Sequence, residues 1–192
     1  MIAVVRSIAS QTMAITGPTE AFQDEFSRRL EALGRVQGLL SRADQEPITI
    51  QSLVAMELDA LGAKDMPDRI QLIGPEVRIQ HWIVQTFALA LHELATNARK
   101  YGALSTDKGD LKVTWRTYSD QKTQRLHLEW LETGGNGNGH QANGSGGYGR
   151  ELIERALPYS LNAKTSFELG ENALHCSIDM PLDRSRSRRR DS

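Results

Sequence analysis

Apolar residues near the start of the chain recur at helical spacing. From residue 20 to residue 43 they fall every three or four positions with charged residues between them, which predicts an amphipathic helix. These positions are Phe22, Phe26, Leu30, Leu33, Val36 and Leu40. A shorter stripe from Ile2 to Thr12 predicts another helix, which ends at Gly17-Pro18. Because both stripes are narrow, we expect the two helices to form a hairpin that packs against a second copy as a four-helix bundle.

After Pro47 the pattern changes to a mixture of helices and strands. Helical spacing predicts further helices over residues 52–61, 76–102 and 150–157, the last of them stopped by Pro158. Strands are predicted over residues 69–73, 111–115, 126–130, 165–169 and 174–180. Since most connections are of hairpin length, we expect a mostly antiparallel sheet with helices on one side. The predicted fold class is α+β, with an α/β two-layer sandwich after the hairpin.

Composition narrows the class of protein. The chain has 192 residues, a net charge of −1 and one cysteine. A single cysteine excludes a disulfide framework and a multi-cysteine zinc site. Neither a long apolar run nor a basic leader is found, so the sequence predicts no membrane segment and a cytoplasmic protein. The last nine residues carry a local charge of +4, which leaves −5 for the rest. This distribution predicts a disordered basic tail and no nucleic-acid partner.

Glycine is concentrated in one segment. Eight of the sixteen glycines lie between Gly134 and Gly149, and such a segment does not form regular structure. It runs directly into the helix predicted at Arg150. Glycine lets the backbone approach a ligand closely, and the free N–H groups at the start of a helix favour phosphate. The alternative is an ordinary glycine loop, since the spacing matches neither the P-loop nor a Rossmann turn.

The long helix carries polar groups that a simple core helix would not need. Glu93, Asn97 and Lys100 lie at positions i, i+4 and i+7, so they share one face, and Tyr101 follows at its edge. A carboxylate, an amide oxygen and an ammonium group in this arrangement suit a hydrated Mg²⁺ ion with phosphates. The alternative is a solvated face with a Glu-to-Lys pattern.

A carboxylate continues the apolar face of one strand. Glu132 follows Leu126, Leu128 and Trp130 in phase, and a buried carboxylate needs a hydrogen-bond donor. The amino group of a ligand such as adenine would supply one. The alternative is that the strand twists and leaves Glu132 exposed at its end.

Three motifs together resemble the HWE family of bacterial histidine kinases. Residues 92–105, HELATNARKYGALS, are similar to its N box, and residues 147–154, GYGRELIE, are similar to its G2 box. Trp130-Leu131-Glu132 followed by Gly134-Gly135 matches the W-x-E motif of its G1 box. The resemblance covers nearly the whole chain except the basic tail.

The resemblance implies three parts and an activity. Residues 1–45 would be a hairpin for dimerisation and histidine phosphotransfer, residues 46–182 a Bergerat-fold ATP-binding domain, and residues 183–192 a tail. The implied protein is a homodimeric sensor histidine kinase core of a two-component system. It would bind Mg-ATP and transfer the γ-phosphoryl group to a histidine, and then to an aspartate of a response regulator receiver domain.

The resemblance also implies roles for individual residues. Asn97 would bind Mg²⁺, and Glu132 would hold the adenine amino group. Glu93 is expected to position a water or act as a base, and its neighbour His92 is the other catalytic candidate. The further residues implied to bind ATP are Lys100, Tyr101, Gly134, Gly147, Gly149 and Arg150.

The phospho-accepting histidine of the family belongs to an H-R-x-K-N motif that immediately precedes a segment like Met1–Val5. The first histidine of this sequence is His81, in the other predicted domain. We therefore expect a truncation just ahead of Met1 and a chain that does not autophosphorylate alone. Three alternatives stay open: a non-catalytic adaptor or phosphotransfer dimer, a serine-directed kinase of the same ATPase superfamily, and a nucleic-acid-binding module that uses the arginine tail.

Overall fold

The computed structural model describes residues 20–43, 46–120, 123–135 and 148–183. The first predicted hairpin helix, the basic tail and the glycine segment 136–147, which includes Gly147, lie outside the described residues. Within these described ranges, no helix is both long enough and apolar enough to cross a membrane.

The helices before the first strand follow the predicted pattern closely. Helix α1 spans Glu20–Arg42, as predicted, and α2 spans Ile50–Asp59, two residues earlier than predicted. The earlier start results from a capping box. The hydroxyl of Thr49 accepts a hydrogen bond from the Ser52 N–H at 3.1 Å, and the Ser52 hydroxyl accepts one from the Thr49 N–H at 3.0 Å. Two N–H groups that have no partner within the helix are satisfied in this way.

Helix α3 spans His81–Lys100, so the predicted start at residue 76 is wrong. The preceding residues are extended and pair with the segment before α2: the Ile50 N–H donates to Val77 O at 3.0 Å, and the Ile79 N–H donates to Ile48 O at 2.9 Å. Ile79 is buried and belongs to this extended segment, although its position in the sequence continues the apolar stripe of the helix. For this reason, periodicity alone wrongly assigns Ile79 to α3.

The described part of the chain contains five strands, which form a single sheet. They are β1 (Ile70–Ile73), β2 (Asp110–Asp120), β3 (Thr123–Thr133), β4 (Lys164–Leu169) and β5 (Ala173–Pro181). Their order across the sheet is β1-β2-β3-β5-β4. Strand β1 is parallel to β2, and all other neighbours are antiparallel. All five predicted strands are present, and the mostly antiparallel sheet is confirmed.

The helices cover one face of this sheet, which confirms the two-layer α+β fold. On β3 the side chains of Leu126, Leu128, Trp130 and Glu132 are buried, and the intervening positions form the other face. Helix α3 contacts both α1 and α2. Because α3 is buried around most of its circumference, its polar residues lie where they must find partners within the protein.

The helical region after the glycine segment does not stop at Pro158, contrary to the prediction. It comprises α4 (Tyr148–Glu151), a π-helical turn (Leu152–Ala156) and α5 (Leu157–Leu161). The Leu157 N–H donates to Leu152 O, five residues back. This wider turn precedes the proline, which has no N–H to donate and lies in the first turn of α5, where a proline is tolerated. The chain leaves the helix at Asn162, which adopts the left-handed conformation.

Candidate functional site

The start of α4 packs against two polar residues of α3. A Cβ atom added to Gly149 would lie 3.1 Å from Asn97 Nδ2, 3.1 Å from Glu93 Cβ and 3.3 Å from Glu93 Oε2. Close packing at this point therefore depends on glycine. Three residues predicted from two separate motifs are thus brought together. Lys100 and Tyr101 follow at the end of α3, where Lys100 is exposed and the Tyr101 N–H donates to Asn97 O at 2.8 Å.

The carboxylate of Glu132 is buried at the end of β3, with 1% of the residue exposed. This excludes the alternative of an exposed strand end. Its Oε1 accepts a hydrogen bond from the Trp130 indole at 2.9 Å, and its Oε2 accepts one from the Ala103 N–H at 2.9 Å. Burial raises the pKa of Glu132, and these two hydrogen bonds partly offset that rise. Both donors come from the protein, whereas the sequence suggested a ligand.

A small cavity borders this carboxylate. A Cβ atom on Gly102 would lie 1.8 Å from Glu132 Oε2, so only glycine leaves room for the carboxylate there. The cavity has a volume of about 10 Å³ and is lined by Gly102, Ala103, Glu132, Gly135, Glu171, Asn172, Ala173 and Leu174. That volume holds about one water molecule. The Gly135 N–H donates to Asn172 O at 3.3 Å, so a purine would enter only if these two segments moved apart.

The loop that supplies the Ala103 N–H is held in place by Arg69. The Arg69 guanidinium donates to Gly109 O at 2.8 Å, to Ala103 O at 2.9 Å and also to Thr106 O. The backbone after α3 is thereby fixed against the residue that immediately precedes β1. Arg69 is not among the residues predicted from sequence, because no spacing pattern shows which carbonyl groups a single arginine will meet.

Glu93 forms a buried ion pair with α1. Arg29 Nε lies 2.7 Å from Glu93 Oε1, and the two residues are 3% and 5% exposed. The pair joins the predicted hairpin to the residue that lies beside Asn97. Arg29 is not among the residues predicted from sequence, because the charged positions of α1 do not show which of them will meet a buried carboxylate.

His92 takes part in a different buried cluster. Its Nδ1 atom lies 3.0 Å from Glu57 Oε2, which also accepts a hydrogen bond from Arg35 at 2.7 Å. His92 is about 140° around the helix from Asn97. The structure therefore separates this catalytic candidate from the other predicted site residues. A signal was present in the sequence, since Glu57 falls in register with the apolar stripe of α2.

Arg150 also lies apart from Asn97. It is exposed, its Nε donates to Glu154 at 3.0 Å, and its guanidinium lies 5.9 Å from the centre of the Phe167 ring. Gly134 follows Glu132 in the left-handed conformation, with a φ of 71°. Among the described residues, no group of three or more His, Cys, Asp or Glu side chains could hold a metal ion. A Mg²⁺ ion at Asn97 would therefore need oxygen atoms from a ligand and from water.

Comparison with known proteins finds similarity to histidine kinases. The model of the HWE histidine kinase family matches residues 1–76. A blue-light-activated histidine kinase of Brucella ovis is 33% identical over 181 residues, which are 94% of this chain and 36% of that protein. The chain thus spans about a third of the length of the curated relatives that it matches.

Two solved structures of a blue-light-activated histidine kinase from Erythrobacter litoralis share the fold. Its histidine kinase domain aligns with a TM-score of 0.58 and 20% identity, over 94% of this chain and 83% of the other. The longer protein aligns with a TM-score of 0.62 and 18% identity, over 94% and 58%. The chain that carries the motifs around Asn97 and Glu132 thus matches the HWE histidine kinase family over its first 76 residues and is similar to a histidine kinase over 94% of its length.

Proposed function

We propose that this chain is the core of a sensor histidine kinase that binds Mg-ATP and transfers the γ-phosphoryl group to a histidine. The phosphoryl group then passes to an aspartate of a response regulator. The observation that carries the proposal is the meeting of Glu93, Asn97 and Gly149 at one side of α3, with the buried carboxylate of Glu132 just beyond the end of that helix.

The phosphate end of the nucleotide would lie at Asn97. Mg²⁺ prefers oxygen ligands and keeps several waters, so the Asn97 amide oxygen and the phosphates suffice to hold it. The bound ion would neutralise charge on the phosphoryl oxygens. Lys100 is exposed near Asn97 and can add positive charge, and Gly149 lets the α4 backbone approach Asn97 closely.

The adenine end would lie at Glu132. Each carboxylate oxygen already accepts one hydrogen bond from the protein and can accept another, because an ionised carboxylate offers about four acceptor sites. An exocyclic amino group would fit this need. Entry of the base requires the Gly135–Asn172 contact to open.

Phosphoryl transfer depends mainly on positioning and on electrostatic stabilisation. A role for Glu93 as a base would require its ion pair with Arg29 to open, since both groups are buried. We propose that the hairpin of residues 1–45 supports a homodimer, on the basis of the apolar stripe of its second helix.

The test of the site is a calorimetric titration with Mg-ATP. We expect the parent protein to bind, and Asn97→Ala to bind at least about tenfold more weakly because a metal ligand is lost. Gln51→Ala, which removes an exposed amide from α2, is the matched control and should bind like the parent. Equal affinity of the parent and Asn97→Ala would refute the site assignment.

The test of the transfer uses γ-labelled ATP and a protein extended upstream to include the H-R-x-K-N motif. We expect an acid-labile, alkali-stable label, which Asn97→Ala should lack. The cavity beside Glu132 has a volume of only about 10 Å³, which favours a second candidate, a non-catalytic adaptor with the kinase fold. An extended protein that binds Mg-ATP but takes up no label, or one that binds none, would favour this adaptor.

A further inference from the structure

The indole of Trp130 is fully buried on the same face of β3 as Glu132. Side chains two residues apart on a strand point to the same face, so the indole N–H can reach the carboxylate directly. The distance from Trp130 Nε1 to Glu132 Oε1 is 2.9 Å. A buried indole has one polar group, its N–H. Here the N–H donates to the carboxylate that, in the proposed function, binds the nucleotide base.

The carboxylate is held at both oxygens. Trp130 bonds Oε1, and the Ala103 N–H bonds Oε2. Two fixed donors determine the plane of the carboxylate, which leaves further acceptor capacity on each oxygen for a group in the bordering cavity. Without the indole N–H, Oε1 would keep no hydrogen bond from the described residues, and the carboxylate could rotate about its Cγ–Cδ bond.

The indole also favours the ionised form of the carboxylate. Burial raises the pKa of Glu132, and the hydrogen bond from Trp130 is the larger of the two interactions that lower it. An acceptor for an amino group must be ionised to receive a strong hydrogen bond. Loss of the indole N–H would therefore disturb both the orientation of Glu132 and its charge.

We propose that Trp130 is a positioning residue, which orients the Glu132 carboxylate to receive the amino group of an adenine nucleotide. This inference rests on the proposed function, and it adds a residue that acts only through Glu132. A core tryptophan without such a role provides the contrast. Trp115 on β2 is also buried, but its indole N–H donates to Pro75 O at 2.8 Å, a backbone carbonyl outside the site.

The experiment compares Trp130→Phe with the matched control Trp115→Phe. Each variant loses one indole N–H and a similar volume from the core. We expect Trp130→Phe to bind Mg-ATP about tenfold more weakly than the parent. As the pH is lowered, its affinity should begin to fall at a higher pH than that of the parent, because Glu132 is protonated earlier. Trp115→Phe should keep both the affinity and the pH profile. Equal losses in the two variants, or an unmoved pH profile in Trp130→Phe, would overturn the proposal.

A second replacement separates the hydrogen bond from packing. β-(3-Benzothienyl)alanine at position 130 keeps the shape of tryptophan but has sulfur in place of the indole N–H, so it serves if Trp130→Phe does not fold. NMR titration of Glu132 without nucleotide should show a higher pKa in this variant than in the parent, and an unchanged pKa would overturn the proposal. A parent that binds no Mg-ATP contradicts the proposed function, whereas a parent that binds like the position-130 variants contradicts only the role of Trp130.

Discussion

Asp179 is the centre of a polar cluster on the outer face of the sheet. Its carboxylate accepts hydrogen bonds from the Tyr118 hydroxyl at 2.6 Å and from Arg125 Nε at 2.6 Å, and His127 Nδ1 lies 3.3 Å away. Burial alone would raise the pKa of Asp179, but these hydrogen bonds and the charge of Arg125 outweigh it and hold the pKa below its usual value. The cluster joins β2, β3 and β5 on the face opposite the helices.

A carboxylate with a lowered pKa stabilises the fold at a pH above the pKa of the unfolded chain, and this contribution is lost as the pH falls through the folded pKa. We therefore expect Asp179→Asn to lower the free energy of unfolding by about 1–2 kcal/mol at neutral pH. The difference from the parent should shrink below about pH 4. Urea denaturation across this range measures it, with Asp120→Asn at the exposed end of β2 as the control. A difference that is independent of pH would contradict the expectation.

The burial of Glu132 could be predicted from sequence, because it continues the alternation of β3. Its partners could be predicted only in part. Trp130 lies two residues away on the same face, so their contact follows from strand geometry. The Ala103 N–H comes from a loop that Arg69 fixes from a third element, and this arrangement depends on tertiary packing.

At the scale of elements, α1 is attached to α3 through charge as well as through apolar packing. Ala32, Leu33 and Val36 are buried, and Arg29 pairs with Glu93 in the same interface. Removal of one partner of a buried ion pair leaves the other charge without compensation, whereas replacement of both partners by apolar residues is often tolerated.

We expect Arg29→Met to lower the free energy of unfolding by about 3 kcal/mol or to release α1 from α3. The double variant Arg29→Met with Glu93→Leu should recover most of this loss. Arg42→Met, at the exposed end of the same helix, should change stability by less than about 0.5 kcal/mol. Hydrogen exchange and chemical denaturation measure these effects. If the double variant is no more stable than Arg29→Met, the unpaired charge of Glu93 does not cause the loss of stability.

Periodicity predicted the existence of the helices but not all of their ends. The start of α3 depends on the pairing of Val77 and Ile79 with the segment before α2, which is a contact between distant parts of the chain. The continuation past Pro158 depends on a π-helical turn, which a rule about single residues does not include. Capping at Thr49, in contrast, is a local interaction and shifts the start of α2 by only two residues.

At the scale of the whole molecule, the site is assembled from segments that are far apart in sequence. Glu93 and Asn97 lie on α3, Glu132 ends β3, and Gly149 begins α4. A ligand that contacts all of these segments links elements on both sides of the central helix. Such a ligand binds the folded state only, and its binding energy adds to the stability of the fold.

We therefore expect Mg-ATP, at a concentration of 100 times its Kd, to add about 2.7 kcal/mol to the free energy of unfolding. In a chain of this size the melting temperature should rise by about 5 °C or more. Differential scanning fluorimetry with and without Mg-ATP measures the shift, and Asn97→Ala at the same concentrations should show a much smaller one. A parent whose melting temperature does not change would contradict binding to the folded state.

The sheet was predictable as a set of strands, because each strand shows its own alternation of apolar and polar residues. The parallel pairing of β1 with β2 was not, since the two strands are separated by the whole of α3 and no local pattern records their relative direction. The candidate site could be anticipated because its motifs are short and local. His92 and Arg150 lie apart from the site, because each side chain contacts the element that packs against its own side of the helix. Which element this is depends on tertiary packing.

Two of the arginines of α1 hold the helix at one rotation about its axis. Arg29 pairs with Glu93, and Arg35 pairs with Glu57, which in turn contacts His92, the residue next to Glu93. A turn of α1 by one residue, about 100°, would withdraw both arginines and leave two buried carboxylates without their counter-charges. The two ion pairs therefore fix the rotation of α1 about its own axis and, with it, the balance of charge beside Asn97.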